Sequence, residues 1–316
     1  MEKIALMFPG VGAQQVGMGK SFYDRYQVVR ETLAEAGDVL KMDFFRLCFS
    51  KESENELNRL ENAQLALVAV EVAFFRVYMQ ELGIEPHLCL GHSLGEYPAL
   101  CSAGVISFPD TLTLVKERGR LLAEAASTLG GMMAWVINLD YKIVERVIAR
   151  DAAGQNHVFV SAYDSPTQSS ISGPRDAVLQ VGRELEKEGA IVYPLKLSGP
   201  FHSPLMTAAA DNFNACLRQF SYHPPRCPII ANQNASPYTH GNVVENLTSQ
   251  LTRPVLWQES LHRLREQQVK TAVEIGPGQV LKHLCKNNSI DLTVHSFEKN
   301  EHLENLKKNL PAPTIH

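Results

Sequence analysis

Residues 87–103 carry a pattern with one clear chemical use. A short apolar stretch at 87–90 runs into Gly91-His92-Ser93-Leu94-Gly95, and a helix-like segment follows over 94–103. The glycines of this G-x-S-x-G pattern let strand and helix backbones approach closely, so that Ser93 projects its hydroxyl from a sharp turn. The N–H groups just beyond the serine are unpaired at a helix start, where they can stabilise an oxyanion. The plainer alternative is a glycine-rich turn in which Ser93 only caps a helix. The flanking strand and helix favour the nucleophile. Pro98 falls early in the expected helix, where its ring and missing N–H predict a perturbed backbone.

A serine hydroxyl needs a neighbouring base to take its proton. Composition cannot choose among eleven histidines. Position points to His202, which stands in Gly199-Pro-Phe-His-Ser-Pro204, a loop suited to a hinge between two lobes. A solvated loop histidine is the alternative. No aspartate or glutamate declares itself as the third member of a triad. Arg118 is a different kind of signal. Over residues 111–125 the apolar stripe runs Leu114, Leu121, Leu122, Ala125. Arg118 lies four beyond Leu114 and three before Leu121, so it falls on the inward face. An inward arginine needs an anionic partner, either a ligand or an internal salt bridge.

These residues must be positioned by a fold, and alternating strands and helices imply an α/β protein with a mainly parallel sheet. Strands are expected at 3–8, 87–90, 228–231 and 271–275, with helices over 55–82 and 254–267. From residue 130 the texture changes: strand 132–139, helix 141–150, strands 157–162 and 168–173, helix 176–188, strand 191–195. That order is the ferredoxin-like split unit. The expected architecture is a large α/β-hydrolase-like domain over 1–127 and 199–316, interrupted by a small ferredoxin-like α+β domain at 128–198. The tail 310–316 is expected to fray.

The bulk composition excludes several classes. The chain has 316 residues, is 45% hydrophobic and carries a net charge of −4 with its basic residues dispersed. Nothing favours nucleic acid, and no apolar run approaches a membrane span or a signal peptide. Six scattered cysteines lack metal spacing and read as buried hydrophobes in a reducing compartment. The expectation is a cytoplasmic, soluble monomer without metal or bound cofactor. Two decoys fail on spacing. Gly10-Val-Gly12 has Gln15 where a dinucleotide loop needs glycine, and Gln14 stands where a phosphate loop ending at Gly19-Lys20-Ser21 needs its first glycine.

Gly91-His-Ser-Leu-Gly-Glu-Tyr97, Phe8-Pro-Gly-Val-Gly-Ala-Gln14 and Glu274-Ile-Gly-Pro-Gly278 together resemble the malonyl-CoA:acyl carrier protein transacylases and the related acyltransferases of polyketide synthases. The resemblance runs through nearly the whole chain, including the inserted unit. It implies that Ser93 carries a malonyl ester taken from malonyl-CoA and passed to the phosphopantetheine thiol of an acyl carrier protein. It implies His202 as base, with the main-chain carbonyl of Gln250 orienting the imidazole. Leu94 and Val11 would supply the oxyanion-hole N–H groups. Arg118 would grip the malonyl carboxylate, and Phe201 would fill the space that an α-methyl group needs. Two positions depart from the family: Val11 replaces a usual glutamine and Asp164 a usual asparagine, the latter placing a negative charge near an anionic substrate if it faces the cleft. These departures and the Gly-Pro-Phe-His loop tilt the expectation toward a free-standing polyketide enzyme rather than one of fatty-acid synthesis. An acyl hydrolase that clears carrier proteins, and a non-catalytic carrier-binding module, are the competing classes. Arg118 speaks against the first, and the Ser93/His202 pair against the second.

Overall fold

The computed structural model describes residues 2–152, 157–196 and 199–310. Its strands are β1 (Ile4–Phe8), β2 (Leu88–Gly91), β3 (Gly131–Ile137), β4 (Phe159–Ser165), β5 (Gln168–Pro174), β6 (Ile191–Pro194), β7 (Ile229–Ile230), β8 (Thr271–Ile275) and β9 (Thr293–Phe297). They form two sheets. The larger is parallel, in the order β7-β2-β1-β8-β9. All five residues of β1 are buried, as are all of β2 and β8, because helices cover both faces. Ile4, Leu6 and Phe8 pack into one apolar layer with the long Leu60–Leu82 helix, and Ala5 and Met7 into another with Trp257 and Leu261.

The smaller sheet is antiparallel, in the order β4-β5-β3-β6, with helices Tyr141–Ala152 and Arg175–Lys187 on one face. Its strand-helix-strand-strand-helix-strand succession and strand order are those of a ferredoxin-like unit. Met132, Ala134 and Val136 alternate inward and meet Val144, Val147, Val178, Val181 and Leu185. The fold is therefore the expected α/β class with a parallel sheet and a small antiparallel sheet.

Away from the serine turn, two elements differ most from their sequence patterns. The expected 55–82 helix is two helices, Glu54–Leu57 and Leu60–Leu82. Asn58 Nδ2 bonds back to Glu54 O at 3.0 Å, and Arg59 is extended, so the first turn is closed off before the second begins. The strand expected at 157–162 lies instead at Phe159–Ser165. Register shifts at Val160/Ala162 and Tyr163/Ser165 break the alternation that the pattern relies on. The expected fraying of the tail falls on residues 311–316, outside those described.

The sheets are joined beside β4. Tyr163 N–H donates to Val255 O at 2.9 Å, and Val255 N–H to Ser161 O at 3.0 Å. Asn288 Nδ2 holds Asp164 O at 2.7 Å. Among the described residues, no helix is long and apolar enough to cross a membrane.

Candidate active site

Ser93 is separated from the end of β2 only by His92. Its φ of +50° is the strained left-handed conformation of a nucleophile turn. The surrounding glycines are required by contact. A Cβ on Gly91 would lie 2.0 Å from the Gly95 carbonyl carbon, and one on Gly95 would lie 2.0 Å from Phe8 O. The turn therefore sits directly on the end of β1. A short 3₁₀ turn, Ser93–Gly95, precedes the helix Glu96–Ser102. Because that helix starts later than the pattern suggested, Pro98 is its third residue. An N–H there has no intrahelical partner anyway, so the expected perturbation does not arise.

His202 also has a positive φ, +56°, and is buried. Its Nε2 lies 2.8 Å from Ser93 Oγ, and its Nδ1 lies 2.7 Å from the main-chain oxygen of Gln250. A carbonyl oxygen can only accept, so Nδ1 carries the proton and Nε2 is left to act on the serine. Burial, followed by the nearby Arg118 charge, pushes the imidazole down to about 3, against the hydrogen bond it donates to the Gln250 carbonyl. The base is therefore neutral, as a proton acceptor must be. A cavity of about 420 Å³ reaches His202, between Phe159, Val160 and Tyr163 of β4 and the turn at Thr252, Arg253 and Pro254.

Arg118 comes from the Phe108–Leu129 helix, which Ser107 caps by accepting from Asp110 N–H. It is 3% exposed. Its Nη1 donates to Gln64 Oε1, and its Nη2 reaches Gln250 Oε1 at 3.1 Å and Ser93 Oγ at 3.3 Å. The guanidinium stands 5.4 Å from the centre of the Tyr97 ring. Among the described residues its Nε has no hydrogen-bond partner and no carboxylate forms an ion pair with it. The internal salt bridge weighed from the sequence is absent there, and the buried charge points at the nucleophile.

Leu94 and Val11 have backbone N–H groups without an acceptor among the described residues. A Cβ on Gly10 would lie 2.6 Å from His92 O, so the Gly10-Val11 loop stands against the serine turn. Phe201 is buried in the large core, and its ring abuts Gly199. Asp164 does not face open solvent. Its carboxylate bonds His92 Nε2 at 2.9 Å and is 3% exposed, so the expected stray negative charge is tied to the residue beside the nucleophile.

Several members of the site were not found from the sequence. Gln64, on the Leu60–Leu82 helix, carries no local mark in the sequence. Asn232 accepts Ser93 N–H at 2.6 Å through Oδ1 and donates to Gly91 O at 2.6 Å through Nδ2. Glu96 is fully buried and accepts from Asn232 N–H at 2.8 Å, Tyr238 O–H at 2.9 Å and Gln250 Nε2. Gln250 Nε2 also donates to Ser93 O at 2.9 Å. The one available signal was a glutamate inside an otherwise apolar helix, Glu-Tyr-Pro-Ala-Leu.

A serine nucleophile with a neutral imidazole, and a buried cation beside them, is a geometry suited to acyl transfer on an α/β scaffold. The chain belongs to the acyl transferase domain family, whose pattern matches residues 6–313. It is 38% identical to a malonyl CoA-acyl carrier protein transacylase of Bacillus subtilis, over 98% of this chain and 80% of that one. It is 36% identical to the Escherichia coli K12 protein of the same name, over 95% and 97%. Among solved structures it resembles a malonyl-transacylase in complex with a type II polyketide acyl-carrier protein, at 35% identity and a TM-score of 0.93, covering 98% of this chain and all of the other. The malonyl CoA-acyl carrier protein transacylase of Coxiella burnetii superposes with a TM-score of 0.94 at 31% identity, covering 98% of each chain.

Proposed function

We propose that this protein transfers a malonyl group from malonyl-CoA to the phosphopantetheine thiol of an acyl carrier protein of fatty-acid or polyketide synthesis, through an ester on Ser93. The observation that carries this is the meeting of Ser93 Oγ, His202 Nε2 and Arg118 Nη2 within 3.3 Å of the serine oxygen, so one small acyl group can touch all three. His202 takes the serine proton as Ser93 attacks the thioester carbonyl. The N–H groups of Leu94 and Val11 hold the oxyanion, and the imidazolium returns its proton to the departing coenzyme A thiolate. The carrier thiol then attacks the ester by the reverse path.

Arg118 pairs with the free carboxylate of the malonyl group, which supplies the anion that the buried guanidinium lacks. Its place beside Ser93 supports a preference for malonyl over acetyl groups. Phe201 takes the role of limiting bulk at the acyl α-carbon. In the same reading residues 128–198 are a unit inserted into the large domain, and the protein works in the cytoplasm as a monomer.

The test is acylation with labelled malonyl-CoA. Wild type should hold label in a 1:1 adduct that moves to carrier protein on addition. Ser93→Ala should hold none, with turnover reduced by about a thousandfold or more. Release of label to water before carrier protein is added would instead identify a hydrolase.

A further inference from the structure

We propose that Glu96 is a positioning residue: it fixes which end of the Gln250 side-chain amide faces Arg118, and so sets the preference for acyl groups that carry a free carboxylate. This rests on Arg118 being the carboxylate-binding residue.

The inference follows from donor and acceptor identities. Gln250 Nε2 has two hydrogens, and both are spoken for, one by Glu96 and one by Ser93 O at 2.9 Å. Its Oε1 is therefore turned to Arg118 Nη2, at 3.1 Å. The amide can be held in this sense only if the group at position 96 accepts. Glu96 does so because two of its partners, Asn232 N–H and Gln250 Nε2, can only donate, and Tyr238 O–H donates as well. A fully buried carboxyl pays for its desolvation: burial raises Glu96 to about 7, while its three donors and then the Arg118 charge pull the other way. Retaining a carboxyl here, where a well-packed apolar residue would avoid that penalty, is understandable if its acceptor character is what the site needs.

The consequence of changing one atom can be worked through. In Glu96→Gln the new Oε1 can keep Asn232 N–H and Tyr238 O–H, but its Nε2 then faces Gln250 Nε2, donor against donor. Rotating the Gln250 amide relieves that clash. Rotation, however, turns Oε1 toward Ser93 O and Nε2 toward Arg118, so the guanidinium meets a donor where it had an acceptor. Arg118 must move, since an unpaired buried donor is costly. The main-chain oxygen of Gln250 still holds His202 Nδ1, so the serine–histidine pair is disturbed least. The effect therefore falls on recognition of the acyl carboxylate rather than on proton transfer.

The experiment measures kcat and KM for acylation by malonyl-CoA and by acetyl-CoA in wild type, Glu96→Gln, Gln250→Met and Arg118→Ala. Gln250→Met keeps the backbone carbonyl and removes the amide. The expected result is a fall of about tenfold or more in the malonyl-to-acetyl ratio of kcat/KM in Glu96→Gln, carried by KM for malonyl-CoA. Gln250→Met should show a similar fall, with no further loss in the double variant. An unchanged ratio, or equal slowing of both substrates through kcat alone, in either single variant overturns the proposal; if Glu96→Gln does not fold, Gln250→Met decides. An Arg118→Ala protein that keeps the wild-type ratio sinks the assignment of Arg118 itself. An Arg118→Ala protein that loses the ratio while Glu96→Gln keeps it sinks only the relay.

Discussion

His202 is oriented by a main-chain oxygen where many serine enzymes use a carboxylate. Buried, with Arg118 close by and no anion behind it, the imidazole stays neutral well below its ordinary value of about 6.5. In the free enzyme, kcat/KM should therefore show no loss from His202 as pH falls through 6.5. Once a malonyl carboxylate offsets the Arg118 charge, the base becomes easier to protonate. The acid limb of kcat should then lie at higher pH than that of kcat/KM, which pH profiles with malonyl-CoA would read directly. Coincident limbs would contradict the charge coupling. The same depression makes stability fall as pH drops from about 6.5 toward 3, because the unfolded chain binds a proton that the native site refuses. Ser93, His202 and Arg118 were legible in the sequence because each carries a local mark: a turn motif, a hinge loop, a charge on an apolar stripe. Glu96 and Asn232 were not, since their meaning lies in contacts more than 130 residues apart along the chain.

At the scale of elements, the serine turn exists because two glycines remove the atoms that would separate it from β1. Gly95→Ala places a methyl 2.0 Å from Phe8 O and 2.8 Å from Phe8 C, both backbone atoms of a central strand. Destabilisation of about 1–3 kcal/mol or more is expected by denaturant titration, together with loss of acylation. Gly241→Ala, whose added methyl meets only Thr239 Oγ1 at 4.0 Å, is the control and should stay within about 0.5 kcal/mol. Equal stability of the two variants would show that the turn is looser than its contacts imply. Although β9 and the helices Gln27–Leu40 and Thr207–Leu217 went unpredicted, the types of the predicted elements were legible from hydrophobic period. Boundaries were not, where side chains or bulges intervene, as at Asn58 and along β4. Pro98 shows the same lesson from the other side: a residue that reads as a breaker is harmless once the helix starts at Glu96.

At the scale of the whole molecule, the smaller sheet is tied to the larger unit next to the nucleophile. The His92–Asp164 bond joins the serine turn to β4, and Asn288 grips the same residue from the other side. Asp164→Asn keeps an acceptor for His92 and should leave malonyl-CoA acylation within a few-fold of wild type. Asp164→Ala strands a histidine nitrogen and should cost about 1–3 kcal/mol, with faster amide exchange along β4 and a raised KM. Equal exchange in both variants would mean that the bond does not tie the sheets. The order of the larger sheet has a consequence for synthesis. β1 leaves the ribosome before β2 and β8, yet it lies between them, and β8 begins only at Thr271. The central seam cannot close until β8 has emerged, a topology rich in distant pairings. A growing chain thus carries its serine for nearly two hundred residues before the scaffold beneath it is complete, so unfinished copies have no assembled site with which to capture acyl groups.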